Sequence, residues 1–315
     1  MTVGTSKTEA AETRRRGDDA HAPLRPRDRW IRRLLPLFVG AIARAPKFSF
    51  APVARFASFV HRRIGGRDMR ILRQNLERIL ELPHDTAEHR RLALAVTRHQ
   101  SASALETVRA IFRPGSVRFD GMERLRQLLR GAEEQGRGQI VITAHLGSWE
   151  LVGHTSAVAC QKPFHALAKP SRIAGVTSFL EEMRERMGAK VLWTGRKSIL
   201  RDMLGALRRG ETLGFVMDQK PEVGGGRDVS FFGIPTPFVV GPGALAARTG
   251  CPVIAVFCLR RGPFHFEVLC EELFPSGHEI KDEDRLTQAM ADAIEAAVRS
   301  TPEQWAWTYR RWRFE

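Results

Sequence analysis

Ile140-Val-Ile-Thr-Ala-His145-Leu-Gly-Ser-Trp-Glu150-Leu-Val-Gly153 is the stretch whose reading decides the fold. Its first half is a short apolar run rich in β-branched residues, set off by Gly136 and Gly138, which is the pattern of a buried parallel strand. A strand ending near Ala144 delivers His145 at its carboxyl end. Gly147 and Ser148 then make a tight exit, with Ser148 placed to cap a helix beginning at Trp149. His145 and Glu150 are five residues apart, a spacing that points them about 140° from each other on one continuous helix. Across a strand-turn-helix corner they can meet. A carboxylate on one imidazole nitrogen fixes the tautomer and leaves the other nitrogen free to take a proton from a hydroxyl. The helix start also offers free N–H groups and a positive dipole end to an oxyanion.

Outward from this corner, residues 30–112 read as helical. Met69, Leu72, Leu76, Ile79 and Leu80 keep the three-four spacing of one apolar face, and Asp85 with Glu88 has the form of a capping box. Pro114-Gly115 closes the region. Strands are then predicted at Ile140–Ala144, His165–Ala168, Lys190–Trp193, Leu213–Met217, Val229–Phe232, Val253–Leu259 and Phe264–Leu269. Helices are predicted at Gly121–Glu134, Trp149–Ala159, Ile173–Met187, Ser198–Arg209, Pro242–Arg248 and Asp284–Ser300. This rhythm predicts an α/β fold: a mixed, mostly parallel sheet flanked by helices and preceded by an N-terminal helical region. The organisation follows as a polar, disordered segment over 1–29, a helical region over 30–115 and an α/β core over 116–315. His145 and Asp218 both fall at carboxyl ends of strands.

The chain has 315 residues, a 43% hydrophobic fraction and a formal net charge of +15. That charge suits an anionic partner surface, whether acidic lipid headgroups, nucleic acid or a phosphorylated substrate. Four cysteines, Cys160, Cys251, Cys258 and Cys270, sit in apolar segments without metal-ligand spacing and read as reduced core residues. The apolar run Leu34 to Ala43 is about half of what a spanning helix needs. The segment Arg27 to Val39 fits two descriptions, a helix lying in a membrane interface with Trp30, Leu34, Leu35 and Phe38 inserted, or an ordinary core-facing helix.

His145-Leu-Gly-Ser-Trp-Glu150 resembles the His-x4-Asp/Glu motif of glycerolipid acyltransferases, and its Glu form is similar to the bacterial lipid A lauroyl/myristoyl acyltransferase branch, within the lysophospholipid acyltransferase-like superfamily. Four further stretches carry the resemblance, in the family's order and across roughly residues 50–313. They are Arg73-Gln-Asn75-Leu; Leu207-Arg-Arg-Gly-Glu211 with Asp218-Gln219; Val229-Ser-Phe-Phe-Gly233 through Leu245-Ala246 and Thr249-Gly-Cys-Pro-Val253; and Pro302-Glu-Gln-Trp-Ala-Trp307 with Arg310-Arg311. Three positions depart from the family's pattern: Lys169 stands where Arg is frequent, Ala255 where Pro is, and Tyr309 where His is.

The resemblance implies acyl transfer from a thioester to a hydroxyl of a membrane glycolipid such as a lipid A precursor. His145 would be the general base and Glu150 the group that orients it. Lys169, Arg172, Asp218, Gln219, Lys220 and Arg227 would contact substrate. For Asp218 a second reading stays open, as a strand cap that anchors the Gly224-Gly-Gly226 loop. No metal and no bound cofactor are expected, and acyl carrier protein or coenzyme A would carry the donor chain. The implied place of work is the cytoplasmic face of the inner membrane, peripheral or monotopic. Relatives of this kind also acylate phosphatidylinositol mannosides and lysophospholipids, so the acceptor is open. A serine hydrolase is disfavoured because Ser148 lacks the Gly-x-Ser-x-Gly elbow. A basic nucleic-acid-binding protein would explain the charge, yet no helix-turn-helix, zinc or RNP pattern supports one.

Overall fold

The structure, a computed structural model, describes residues 26–84, 86–171, 173–221 and 226–312. Among the described residues four helices come first: α1 (Pro26–Arg44), α2 (Lys47–Ile64), α3 (Gly66–Ile79) and α4 (Ala87–Phe112). Helix α1 thus begins four residues before the predicted start at 30. The apolar stripe of α3 is buried as its spacing requires, with Met69, Leu72, Leu76 and Ile79 all in the core. The cap of α4 is Thr86, whose hydroxyl accepts from the His89 N–H at 3.2 Å. Asp85, the cap expected from the sequence, lies outside the described residues. Arg109 of α4 donates to the carbonyls of Ala43 and Ala45 and thereby ties down the joint between α1 and α2.

The first helix has one face in the core and one apolar face exposed. Val39 and Ala43 are buried and Leu35 packs against the core, while Trp30, Leu34, Leu37 and Phe38 stay more than half exposed. Of the four residues expected to face a membrane, Leu35 alone turns inward. Helix α2 repeats the arrangement: Phe50, Ala54 and Ser58 face in, whereas Phe48, Phe56, Phe59 and Ile64 face out.

The α/β part runs β1 (Arg118–Asp120), α5 (Met122–Glu134), β2 (Gln139–Thr143), α6 (Trp149–Ala159), β3 (Phe164–Ala168), α7 (Ala174–Arg186), β4 (Ala189–Trp193), α8 (Ile199–Arg208), β5 (Thr212–Val216), β6 (Gly226–Phe231), β7 (Ile234–Val239), α9 (Gly241–Thr249), β8 (Val253–Gly262), β9 (His265–Phe274) and α10 (Glu283–Ser300). Seven strands form one sheet in the order β1-β9-β8-β2-β5-β3-β4. Within it β2, β3, β4, β5 and β8 are parallel, β9 runs antiparallel to β8, and β1 pairs parallel with β9. Strand β2 is buried along its whole length, as a central strand covered on both faces must be.

Two strands go beyond the sequence prediction. Residues 118–120 form an edge strand too short to carry a pattern, and Ile234–Val239 pairs with β6 in a separate antiparallel hairpin. Pro235 and Pro237 in that segment argue against a central strand and are compatible with a two-stranded ribbon. The predicted strand at Val229–Phe232 therefore belongs to this ribbon and not to the main sheet.

Side chains alternate across the sheet. Ile140 and Ile142 join a core that includes α3, α8, α10 and the C-terminal segment, while Val141 joins the core under α5, α6 and α7. All four cysteines are free, and burial pushes the Cys160 thiol up to about 12 and that of Cys251 up to about 11, so both are inert thiols. After α10 a short 3-10 turn, Pro302–Gln304, leads into a cluster of rings in which Trp305, Trp307 and Trp312 meet Phe231 and Phe232. Asn75 of α3 holds this segment from the far end of the sequence, its amide donating to the carbonyls of Trp307 at 2.7 Å and Tyr309 at 3.2 Å. Replacing Asn75 by Ala strands buried carbonyls, and a loss of about 1–3 kcal/mol is expected in denaturant unfolding. An unchanged midpoint would show that the segment holds itself.

Candidate active site

The register of the sheet builds the site. Thr143 at the end of β2 is paired with Val216 at the end of β5, and the Met217 N–H donates to the Thr143 carbonyl at 3.0 Å. Two residues further on, His145 and Asp218 leave neighbouring strand ends side by side. Their side chains meet through Nδ1 and Oδ1 at 2.7 Å, and the His145 backbone N–H donates to Asp218 Oδ2 at 2.9 Å. Trp305 donates its indole N–H to the same Oδ2 at 2.8 Å. An ionised carboxylate only accepts, so the proton of a neutral imidazole must sit on Nδ1. That leaves Nε2 as the basic atom. It points to the outside of the site, where the Gln219 amide stands 3.1 Å away.

Burial alone would lower the pKa of His145 by penalising the charged imidazolium. The charge and hydrogen bond of Asp218, with a further contribution from the charge of Glu150, outweigh it and leave the pKa raised above 6.5. For Asp218 the opposite balance holds. Burial pushes its carboxyl up, but the charge and hydrogen bond of His145, together with Trp305, hold it below the ordinary carboxylate range. A buried carboxylate beside an imidazole of raised basicity is an arrangement that accepts a proton at Nε2 and stabilises the resulting cation.

The corner itself depends on Gly147, whose φ is +61° and whose Cβ, if present, would lie 2.2 Å from the Cys258 carbonyl oxygen. No other residue fits there. Ser148 stands at the N-cap position of α6, but its hydroxyl is bonded to Thr107 at 2.6 Å instead of capping the helix. Its N–H is bonded to the Cys258 carbonyl, so that group does not face an oxyanion. The C-terminal segment straps the corner from outside: the Ala306 N–H donates to the His145 carbonyl and the Gly147 N–H to the Gln304 carbonyl, both at 3.0 Å.

Two roles expected from the sequence change place. Glu150 does not bond His145; as a first-turn residue of α6 it turns toward α7, where Arg184 takes both carboxylate oxygens at 2.7 and 3.1 Å. The planar fork of Arg matches a carboxylate bidentately, which an imidazole does not. Asp218 is 3% exposed, and its two oxygens are bonded to His145 and Trp305.

Of the remaining expected contacts, Gln219 faces the imidazole, and Lys220 follows it with its N–H on the Tyr309 hydroxyl at 3.0 Å. Lys169 is exposed just beyond β3. Arg227 lies on the β6–β7 ribbon and pairs with Asp284 at 3.5 Å. Arg172, Gly224 and Gly225 lie outside the described residues. Beside His145 opens a cavity of about 840 Å³, mouth included, walled by His99, Ser103 and Thr107 of α4 together with Trp149 and Gln304. The α4 residues follow an i, i+4, i+8 spacing on one helix face, a pattern in the sequence that carried no chemical signal by itself.

A histidine bonded to a buried carboxylate at the strand ends of an α/β sheet is an arrangement able to activate a hydroxyl, as transferases and hydrolases do. Residues 22–314 match the family described as bacterial lipid A biosynthesis acyltransferase, and the chain belongs to that family. It is 32% identical over 250 residues to the lipid A biosynthesis palmitoleoyltransferase of Escherichia coli (strain K12), covering 77% of this chain and 78% of that protein. Similarity extends to phosphatidylinositol mannoside acyltransferases. The one from Mycobacterium tuberculosis (strain ATCC 25618 / H37Rv) is 25% identical over 285 residues, 86% of this chain and 85% of its own. That from Mycolicibacterium smegmatis (strain ATCC 700084 / mc(2)155) is 27% identical over 185 residues, 58% of this chain and 60% of its own.

His145→Ala is expected to cut turnover on the order of a hundred to ten-thousand-fold in a protein that still unfolds cooperatively. Asp218→Asn and Glu150→Gln separate the two carboxylates. The reaction needs the neutral imidazole, so rate rises as pH rises through the imidazole pKa. Losing Asp218, which raises that pKa, should move the rising limb to lower pH and depress its plateau. Glu150→Gln should move it the same way by less. A larger plateau loss in Glu150→Gln than in Asp218→Asn would return the orienting role to Glu150.

Proposed function

We propose that this protein transfers a fatty acyl chain from an acyl thioester to a hydroxyl of a membrane glycolipid of the lipid A precursor kind. The observation that carries the reading is the 2.7 Å bond between His145 Nδ1 and Asp218 Oδ1, which leaves Nε2 basic and facing a cavity. In the reaction Nε2 takes the acceptor hydroxyl's proton as its oxygen attacks the thioester carbonyl. Asp218 stabilises the imidazolium through the tetrahedral intermediate. The C–S bond then breaks, and the thiolate of acyl carrier protein or coenzyme A leaves with the proton held on Nε2. Gln219 is placed to hold the acceptor oxygen or the carbonyl near Nε2; for Lys169, Arg172, Lys220 and Arg227 as contacts to phosphate groups the family resemblance is the support. Every step uses side chains of this chain, and the scheme invokes no metal.

The acceptor assignment rests on the family and on relatives named for lipid A. The relatives named for phosphatidylinositol mannosides support a second acceptor of the same chemistry, a hydroxylated sugar on a membrane anchor. Among the described residues no helix is long and apolar enough to cross a membrane. We place the protein at the bilayer surface by the outward faces of α1 and α2, working from the cytoplasmic side, where an anionic leaflet matches a net charge of +15.

A purified sample offered an acyl-acyl carrier protein or acyl-coenzyme A donor should acylate a lipid A precursor in preference to a phosphatidylinositol mannoside, read by mass spectrometry of the lipid product. The reverse preference would move the acceptor, and transfer to neither would end the reading. On anionic liposomes, high salt should release part of the protein and leave a remainder held by apolar contact, because salt screens charge and not insertion. Phe48→Ser with Phe56→Ser, both on fully outward positions, should remove that remainder without lowering the unfolding midpoint. Full release of the unsubstituted protein by salt would mean that the rings do not enter the bilayer.

A further inference from the structure

The turn that carries His145 touches three elements, and each holds it by a backbone group. Helix α4 holds the Gly147 carbonyl, which accepts from the Ser103 hydroxyl at 3.3 Å and from His99 Nε2 at 3.5 Å. Strand β8 holds the Ser148 N–H through the Cys258 carbonyl at 2.8 Å. The C-terminal segment holds the Gly147 N–H through the Gln304 carbonyl at 3.0 Å. His99 stays neutral in this setting, its pKa lowered to about 4 by burial and, against the bond to Gly147, by the charge of Arg260.

One ion pair joins all three elements. Glu106 of α4, 3% exposed, takes the guanidinium of Arg260, near the end of β8, on both of its oxygens at 2.8 Å each. The side chain of Gln304 in turn bonds both backbone groups of Arg260: the N–H donates to Gln304 Oε1 at 2.9 Å, and the carbonyl accepts from Gln304 Nε2 at 3.0 Å. Glu106 also accepts from the Phe264 N–H at 3.2 Å, in the turn between β8 and β9. Support is needed there, because the pairing of β8 with β9 shifts register between Arg260 and Gly262 and Phe264 stands at φ +57°.

Stability alone gives no reason for an ion pair at this place. Two charges lose hydration on burial, and apolar residues of like volume hold a fold as well or better. What the pair adds is geometry, since a guanidinium fork meets a carboxylate in one planar arrangement. Building on the acyl-transfer reading, we propose that Glu106 is a positioning residue for the general base: through Arg260 and Gln304 it fixes the turn after His145, so that the imidazole stays in line with Asp218. Neither Glu106 nor Arg260 lines the cavity beside His145, so the action runs through the turn and not through contact with substrate.

The test compares the full chain with a Glu106→Met/Arg260→Leu double variant, using the donor and acceptor of the preceding assay. The substitution removes both charges together and leaves in place Asp218 and Glu150, the charged groups that act on His145. Its unfolding midpoint should stay near that of the unsubstituted protein or rise. Turnover should fall on the order of ten- to a hundred-fold, as it does when a catalytic group is slightly misplaced, with KM for both substrates unchanged. The rising limb of the pH profile should move to lower pH, because a stretched bond to Asp218 raises the imidazole pKa less. NMR titration of His145 reads the same shift without any substrate. Native turnover and a native His145 titration in the folded double variant overturn the proposal, as does a loss confined to KM. Arg260→Lys keeps the charge and loses the fork, and it serves where the double variant does not fold. The same changes to a smaller degree are expected in it, and native values would again overturn the proposal. Absence of transfer by the unsubstituted protein sinks the acyl-transfer reading, while the NMR titration still decides whether Glu106 positions His145.

Discussion

The carboxylate of Asp218 is the constraint on which the site depends. It is buried, so its charge must be compensated by bonds, and three donors supply them from two places in the chain: the imidazole and the backbone N–H of His145, and the indole of Trp305. Two parts of the fold position these donors. The first two are set by the pairing of β2 with β5, and the third by the ring cluster that closes the C-terminal segment over the sheet. Removing any one of these supports leaves a buried anion short of a partner, which is costly in a low-dielectric interior. Structure and chemistry are thus enforced by the same group.

The division of labour between the two acids follows from what each faces. Asp218 meets a single imidazole in a dry pocket and acts on it by contact. Glu150 meets a guanidinium, which satisfies it bidentately, and acts on the imidazole only through its field. The pair with Arg184 joins α6 to α7 beside the cavity that His145 lines.

How much of this was legible in the sequence follows from the range of the interactions. Strand β2, the turn and α6 are encoded locally, and the boundaries of α6 were readable to the residue because a β-branched run, a glycine, a serine and an apolar helix follow in direct succession. Asp218 was visible as a strand-end acid, yet its bond to His145 was not, because it depends on β5 lying beside β2 and joins residues 73 positions apart. Arg184 gave no signal at all: it sits in a run of charged residues on α7 that reads as an ordinary solvated face. Strand β7, the second of the ribbon, was hidden by its two prolines, which count against a strand unless it stands apart from a sheet's interior. Trp305 and Gln304 were noticed only as part of a family-like segment, and nothing local to them indicates that one donates to the active-site carboxylate and the other holds the turn after the base.

The bond between Asn75 and the Trp307 carbonyl spans 232 positions, and the one between Trp305 and Asp218 spans 87. A ribosome builds the base, its carboxylate and the sheet that aligns them well before it releases the segment that fixes both. During synthesis Asp218 lacks its indole donor until the segment bearing Trp305 has emerged and folded back over the sheet. The geometry of the His145–Asp218 pair is thus completed by residues made after both of its members.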